Sequence, residues 1–245
     1  MSEYTFNVNG AIIDASFKEE DIENVYIPLL KEWEDLQKKE NRRIVVFIAA
    51  PPGCGKTTMT YFFESLSKQY CSNHVQALGI DGFHFPQEYL QNHYIMLEGK
   101  RTRLIDIKGH PKTFDVKKLE DYIIDALQKN VMWPYYSRKL HDVVENAIKV
   151  DSDILLLEGN YLLYKELPWS NLKQYASSTL FVNMDKDILV GRLINRKIMT
   201  GRSEEEAEEF VRYSDSRNID LVINNSSVPD HTILFNQNNE IIEFK

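Results

Sequence analysis

The chain predicts an α/β fold built on a parallel sheet, and three observations carry that prediction. First, Arg43-Ile44-Val45-Val46-Phe47-Ile48-Ala49 is continuously apolar after its arginine and rich in β-branched residues, as a strand covered by helices on both faces must be. Second, this run leads into the Gly-containing segment Ala50-Pro51-Pro52-Gly53-Cys54-Gly55-Lys56-Thr57-Thr58, then a helical stretch to about Tyr70, then a second apolar run at 75–80, which together make a βαβ unit. Third, further apolar runs at 154–157 and 179–183 are separated by mixed and helical segments, and this alternation implies parallel strands.

From the N-terminus, residues 4–17 alternate around Asn9-Gly10, a dipeptide suited to the positive φ angles of a tight hairpin. Residues 19–40 place Ile22, Val25, Tyr26, Leu29, Leu30, Trp33 and Leu36 along one helical face, and Pro28, which lacks an N–H, kinks or divides that helix. Residues 187–199 read as an amphipathic helix stopped by Gly201. Ser203 with Glu206 forms a capping box that opens a further helix to about Tyr213. Residues 232–244, around Asn238-Asn239, read as another hairpin. No repeat, low-complexity tract or Gly/Ser/Pro linker divides the chain, so 1–245 reads as one domain with an N-terminal extension at 1–40 and a lid at 187–213.

Composition sets the outer bounds. Hydrophobic residues at 43% and charged residues at 27% exclude a disordered, collagen-like or disulfide-scaffold chain. A net charge of −8 gives no global positive field for nucleic acid or anionic lipid, so neither is expected as a partner. Cys54 and Cys71 are too few for a disulfide framework and form no metal-ligand cluster. The N-terminus has no basic segment followed by an apolar one, and the longest apolar run falls far short of a bilayer, so a cytoplasmic protein is expected.

The strongest chemical signal is Gly53-Cys54-Gly55-Lys56-Thr57-Thr58, lying between a buried strand and a helix. In that context the backbone N–H groups at the helix N-terminus cradle phosphate oxygens, Lys56 reaches the β and γ phosphates, and Thr57 offers a hydroxyl to Mg²⁺. Pro52, Gly53, Cys54, Gly55, Lys56, Thr57 and Thr58 are therefore the nucleotide-binding candidates; Ala50 stands where the strict pattern has its first Gly. Cys54 inside the loop could be oxidised, but nothing in its sequence context demonstrates a depressed pKa. Asp81, followed by Gly82, closes the next strand at the sheet edge where ligands bind, and can take a proton from an acceptor hydroxyl. Glu158 ends the apolar run 154–157 and is the candidate metal-side carboxylate. Arg192, Arg196 and Lys197, leading to Arg202 beside Gly201, form a positive cluster able to close over phosphates, with Arg192 placed at the nucleotide and Arg196 at the reacting centre. His84, Tyr136, Arg138 and Tyr161 are the acceptor-pocket candidates, and Asp106, Lys108 and Asp115 flank a candidate substrate-covering loop.

These segments resemble a family. Gly53-x-Gly55-Lys56-Thr57, Asp81-Gly82-Phe83-His84-x-Pro86, Lys108-Gly109-x-Pro111-x-Thr113-Phe114-Asp115, Pro134-x-Tyr136-Ser137-x3-His141-Asp142 and Glu158-Gly159-Asn160-Tyr161-Leu162-Leu163 are similar to the phosphoribulokinase, uridine kinase and bacterial pantothenate kinase group of P-loop kinases, and most of all to its fructose-transport-system kinase subgroup. The resemblance covers about residues 40–230. It implies a three-layer fold with a five-stranded parallel sheet of order 2-3-1-4-5 and a helical lid, with Asp81 as base and Glu158 as metal-side acid. One departure stands out: the pantothenate kinases carry His after Tyr-Ser, whereas this chain has Arg138, which suits an anionic or polyhydroxylated acceptor. No guanine-recognition Asn-Lys-x-Asp is present.

The expectation is an ATP- and Mg²⁺-dependent phosphotransferase acting on a hydroxyl of a small metabolite such as a sugar, nucleoside or vitamin precursor. A nucleotide-dependent ATPase or switch acting on a macromolecule, and a silent nucleotide-binding scaffold, are the alternatives. A homodimer is compatible with any of these.

Overall fold

In the computed structural model, which describes residues 1–8 and 11–245, alternation along one strand divides the interior in two. β1 (Ser2–Val8) and β2 (Ala11–Phe17) pair antiparallel from Ser2 opposite Phe17 to Val8 opposite Ala11. The turn dipeptide Asn9-Gly10 lies outside the described residues. Residues 19–40 form the expected helical stretch, and its irregularity sits beside the proline: a π turn at Ile22–Tyr26 precedes α1 (Ile27–Glu40), with Pro28 in the first turn. A wide turn there accommodates the ring and the missing N–H that would otherwise break an α-helix.

β3 (Ile44–Ala49) is fully enclosed. Ile44, Val46 and Ile48 face one core, with Trp33 of α1 and Phe62 and Phe63 of α2 (Lys56–Tyr70). Val45, Phe47 and Ala49 face the other. This is the period of two expected of a strand with helices on both sides. β4 (Val75–Gly79) follows α2. The segment from Asp81 to Val150 departs from the mixed and helical reading of the sequence. It holds α3 (Gln87–Asn92), a small hairpin β5 (Tyr94–Leu97) and β6 (Lys100–Arg103), helix α4 (Val116–Gln128), and a longer hairpin β7 (Val131–Ser137) and β8 (Asp142–Val150). Leu90, Leu104 and Ile107 form a separate small core beneath the first hairpin, which is why that insertion stands without the main sheet.

β9 (Ile154–Gly159) and β10 (Ser178–Met184) complete the sheet centre. α5 (Lys186–Met199) is capped by Asp185 and ends just before Gly201. α6 (Glu204–Phe210) opens with both halves of the Ser203–Glu206 capping box in place. Its continuation was not legible in the sequence: instead of stopping near Tyr213, the chain makes a π turn at Val211–Asp215 and runs on as α7 (Ser216–Asn225). β11 (His231–Phe235) and β12 (Ile241–Phe244) form the terminal hairpin.

The sheet order is β12-β11-β10-β3-β9-β4. Its five parallel strands, taken in chain order, run 2-3-1-4-5 as the resemblance implied. The terminal hairpin adds a correction: β11 is itself the fifth parallel strand, and β12 adds a sixth, antiparallel to it. Among the described residues no helix is long and apolar enough to cross a membrane.

Candidate functional site

The loop after β3 turns because Gly53 and Gly55 adopt φ of +87° and +83°, values a side chain disfavours. A Cβ on Gly53 would also sit 3.2 Å from Leu193 Cγ, so α5 packs directly on this loop. The turn delivers Lys56 as the first residue of α2, with Thr57 and Thr58 behind it in the first turn. Free N–H groups and the helix dipole at that point favour an anion.

Neighbouring strands bring up the carboxylates. β9 lies next to β3, with Ile48 opposite Glu158, so Glu158 arrives beneath the loop. Thr57 Oγ1 donates to Glu158 Oε1 at 2.7 Å, and Lys56 Nζ lies 3.7 Å from Glu158 Oε2. Burial raises the Glu158 pKa above the usual carboxylate range and the charge of Asp81 adds to it, while Lys56 opposes both. Asp81 opens a tight turn directly after β4. Among the described residues its carboxylate accepts no hydrogen bond, and its side chain is exposed. Gly82 next to it is demanded by close approach: a Cβ there would lie 2.4 Å from the Pro134 carbonyl oxygen of β7.

A single cleft of about 620 Å³ joins these groups. Gly53, Gly55, Lys56, Thr57, Thr58, Asp81, Glu158, Tyr136, Arg138, Arg192 and Arg196 all line it. Arg192 donates to Asn239 Oδ1 and to the Gln237 carbonyl, both at 2.8 Å, which pins it to the terminal hairpin turn. Surrounding protein and the like charge of Arg138 lower the Arg196 pKa, while Asp215 and Asp81 counter them. Tyr136 borders the cleft with its hydroxyl accepting from Lys108 Nζ at 2.9 Å.

Other sequence candidates fall elsewhere. Tyr161 does not line the cleft: it is fully buried and its hydroxyl donates to the Gly109 carbonyl at 2.7 Å, so it ties the 108–115 segment to the core instead of facing an acceptor. His84 packs on Phe114 with Nδ1 3.0 Å from the Asp81 carbonyl and does not line the cleft. Cys54 turns inward, away from the cleft lining, and burial pushes its thiol up to about 12. Pro52 is half-buried outside the cleft lining. The basic cluster divides. Lys197 pairs with Asp215 at 3.0 Å, and both Lys197 and Arg202 lie over the Phe210 ring, leaving Arg192 and Arg196 on the cleft. Asp106 pairs with Arg103, and Asp115 caps α4 through the Lys118 N–H. The sequence reading missed Lys139, Tyr61 and the hairpin residues Val8 and Ile13. No motif marks them: packing of the N-terminal hairpin brings Val8 and Ile13 here, the β7–β8 turn brings Lys139, and α2 brings Tyr61.

A phosphate loop between the central strand and its helix, on a 2-3-1-4-5 parallel sheet with carboxylates at the ends of β9 and β4, defines a P-loop kinase fold. A solved structure of a suggested fructose transport system kinase from Silicibacter sp. TM1040 shares it, with a TM-score of 0.74 and 24% identity over 85% of this chain and 98% of that one. The Phosphoribulokinase / Uridine kinase family profile matches residues 45–224, and the chain belongs to that family. Among curated relatives, the uncharacterized protein YggC of Escherichia coli (strain K12) is 38% identical over 221 residues, 89% of this chain and 90% of its own. The pantothenate kinase of Limosilactobacillus reuteri is 30% identical over 195 residues, 69% of this chain and 60% of its own.

Proposed function

We propose that this P-loop kinase transfers the γ-phosphoryl group of ATP to a hydroxyl of a small metabolite bearing an anionic or polyhydroxylated group. The observation that carries the reading is Asp81: a carboxylate that among the described residues has no hydrogen-bond partner, on the same cleft as Lys56 and Thr57. A base aimed at open space is useful only when an acceptor enters. The acceptor hydroxyl gives its proton to a carboxylate oxygen of Asp81 as its own oxygen bonds to the γ-phosphorus, and the bond to the ADP oxygen breaks in line. Lys56 and Arg196 supply positive charge where the transferring group's charge redistributes. Arg138 and Lys139, on the same cleft, suit a carboxylate or phosphate on the acceptor.

Mg²⁺ fits the donor set. Thr57 Oγ1 and Glu158 Oε1 converge to 2.7 Å beside the loop, and both are hard oxygen donors of the kind Mg²⁺ takes alongside phosphates and water. These two residues would hold the ion, which supplies charge neutralisation on the phosphate oxygens.

The test is ADP release measured across sugars, sugar acids, nucleosides and vitamin precursors. Acceptor-stimulated release with a phosphorylated product supports the reading. Acceptor-independent hydrolysis across the whole panel overturns it in favour of an ATPase.

A further inference from the structure

The cleft does not end at the catalytic groups. It continues along the open edge of β4, past Ala77 and Gly79, to Val8 and Ile13 of the N-terminal hairpin, Tyr61 of α2 and Ile148 of β8. All four of these side chains are half-buried and line the cleft. We propose that the N-terminal hairpin is a wall of the acceptor site, and that Val8 and Ile13, with Tyr61 and Ile148, form an apolar subsite for an apolar arm of the acceptor.

The hairpin is held in place for that role. Phe17 stacks on Phe62 of α2 with ring centroids 3.6 Å apart, and Tyr4 meets the same ring edge-on at 4.8 Å. Phe6 and Phe17 are buried in the main core, so the base of the hairpin is fixed while Val8 and Ile13 reach the cleft. The family match begins at residue 45, so this wall comes from outside the shared kinase body.

Transfer geometry assigns the occupant. Attacking and leaving oxygens lie on opposite sides of the phosphorus, so acceptor and nucleoside extend in opposite directions from the γ phosphate. Arg192 and the terminal hairpin turn stand toward the β11 side of the sheet, whereas Asp81 and the apolar end stand at β4, the opposite edge. The β4 side is therefore the acceptor's. A peptide strand does not suit this edge, because the Ala77 N–H already donates to Glu64 Oε2 at 2.8 Å. The acceptor thus presents a hydroxyl to Asp81, polar or anionic groups to Arg138 and Lys139, and an apolar arm to the hairpin. Shielding that arm from water is the physical gain.

This inference rests on the kinase reading, and a readout that needs no turnover separates the two. Isoleucine methyls are labelled with ¹³C in the full-length protein, and Ile13 and Ile148 are assigned with I13V and I148V. D-glucuronate against phenyl β-D-glucuronide, and D-glucose against phenyl β-D-glucoside, are titrated in the presence of Mg²⁺ and a non-hydrolysable ATP analogue. The phenyl member of at least one pair is expected to bind about tenfold or more tightly than its parent and to shift both methyls saturably. In the V8S/I13S double variant, followed through Ile148, that advantage falls to about twofold or less. Phenyl probes that leave both methyls unmoved, or an advantage that survives V8S/I13S, overturn the subsite. ADP release on the same probes tests the kinase reading by itself: turnover without methyl shifts counts against the hairpin wall alone, and methyl shifts without turnover support the wall while counting against these sugars as phosphoryl acceptors.

Discussion

Lys56 and Asp81 divide the proposed reaction between charge and proton, so their variants separate the two. Lys56→Ala removes a cation 3.7 Å from Glu158, and turnover should fall at least about a hundredfold while circular dichroism stays unchanged. A folded variant with normal turnover refutes the phosphate-loop assignment. Asp81→Asn keeps the shape of a side chain that accepts no hydrogen bond among the described residues, so acceptor phosphorylation should drop about 10²- to 10⁴-fold with ATP affinity nearly constant. Parallel loss of ATP affinity would make Asp81 a nucleotide or metal ligand. Gly82→Ala is the structural counterpart: its Cβ, 2.4 Å from the Pro134 carbonyl oxygen, forces β7 away and should cost about 1–3 kcal/mol, read as a lower Tm.

At the scale of elements, the joint between α5 and α6 carries the lid prediction. Leu189, Leu193, Ala207 and Val211 are fully buried, so both helices are anchored along their inner faces, while residues 198–205 at the joint are exposed. Mobility should therefore concentrate around Gly201. Hydrogen exchange over residues 190–212 should slow more with ATP plus acceptor than with ATP alone, and Arg196→Ala should lower turnover more than it weakens ATP binding. Equal protection in apo and doubly liganded protein, together with an unimpaired variant, would reduce Arg196 to a solvated side chain. The same elements show why local pattern misleads. Lys197 and Arg202 share a sequence neighbourhood with Arg192 and Arg196, yet Asp215 and Phe210 draw them away from the cleft, and both partners come from beyond the joint.

For the whole molecule, two groups away from the cleft are held in their deprotonated forms and make acid destabilising, while the raised pKa of Glu158 works in the opposite direction. Burial lowers the His110 pKa to about 4, with Lys112 adding to the effect. Burial works to raise the Glu34 pKa, but the Ser72 and Asn73 N–H groups with Lys38 hold it at about 2. Both pKa values are depressed by folding, so the unfolded chain binds more protons and stability falls as pH falls. His110 acts between 6.5 and about 4, and Glu34 between 4.5 and about 2. The urea midpoint should decline through the first window, and His110→Asn, which can keep an acceptor for the Lys112 N–H, should flatten that decline without touching the second. A slope unchanged in the variant assigns the first window to other groups.

By itself the sequence determined the α/β class, the phosphate loop and the strand-end positions of Asp81 and Glu158. Each follows from a local rule: an unbroken apolar strand needs cover on both faces, glycines at positive φ permit the turn, and residues closing parallel strands gather at one sheet edge. It could not determine what is set by contacts distant in the chain. Tyr161 belongs to a family-like motif, but its hydroxyl is taken by Gly109, 52 residues away. Residues 94–103 and 131–150 became hairpins because pairing between strands, not periodicity, decides such short segments. The position of the N-terminal hairpin beside the cleft was likewise decided by aromatic packing of Tyr4 and Phe17 on Phe62, an energy of burial between segments some 45 or more residues apart that no local pattern encodes.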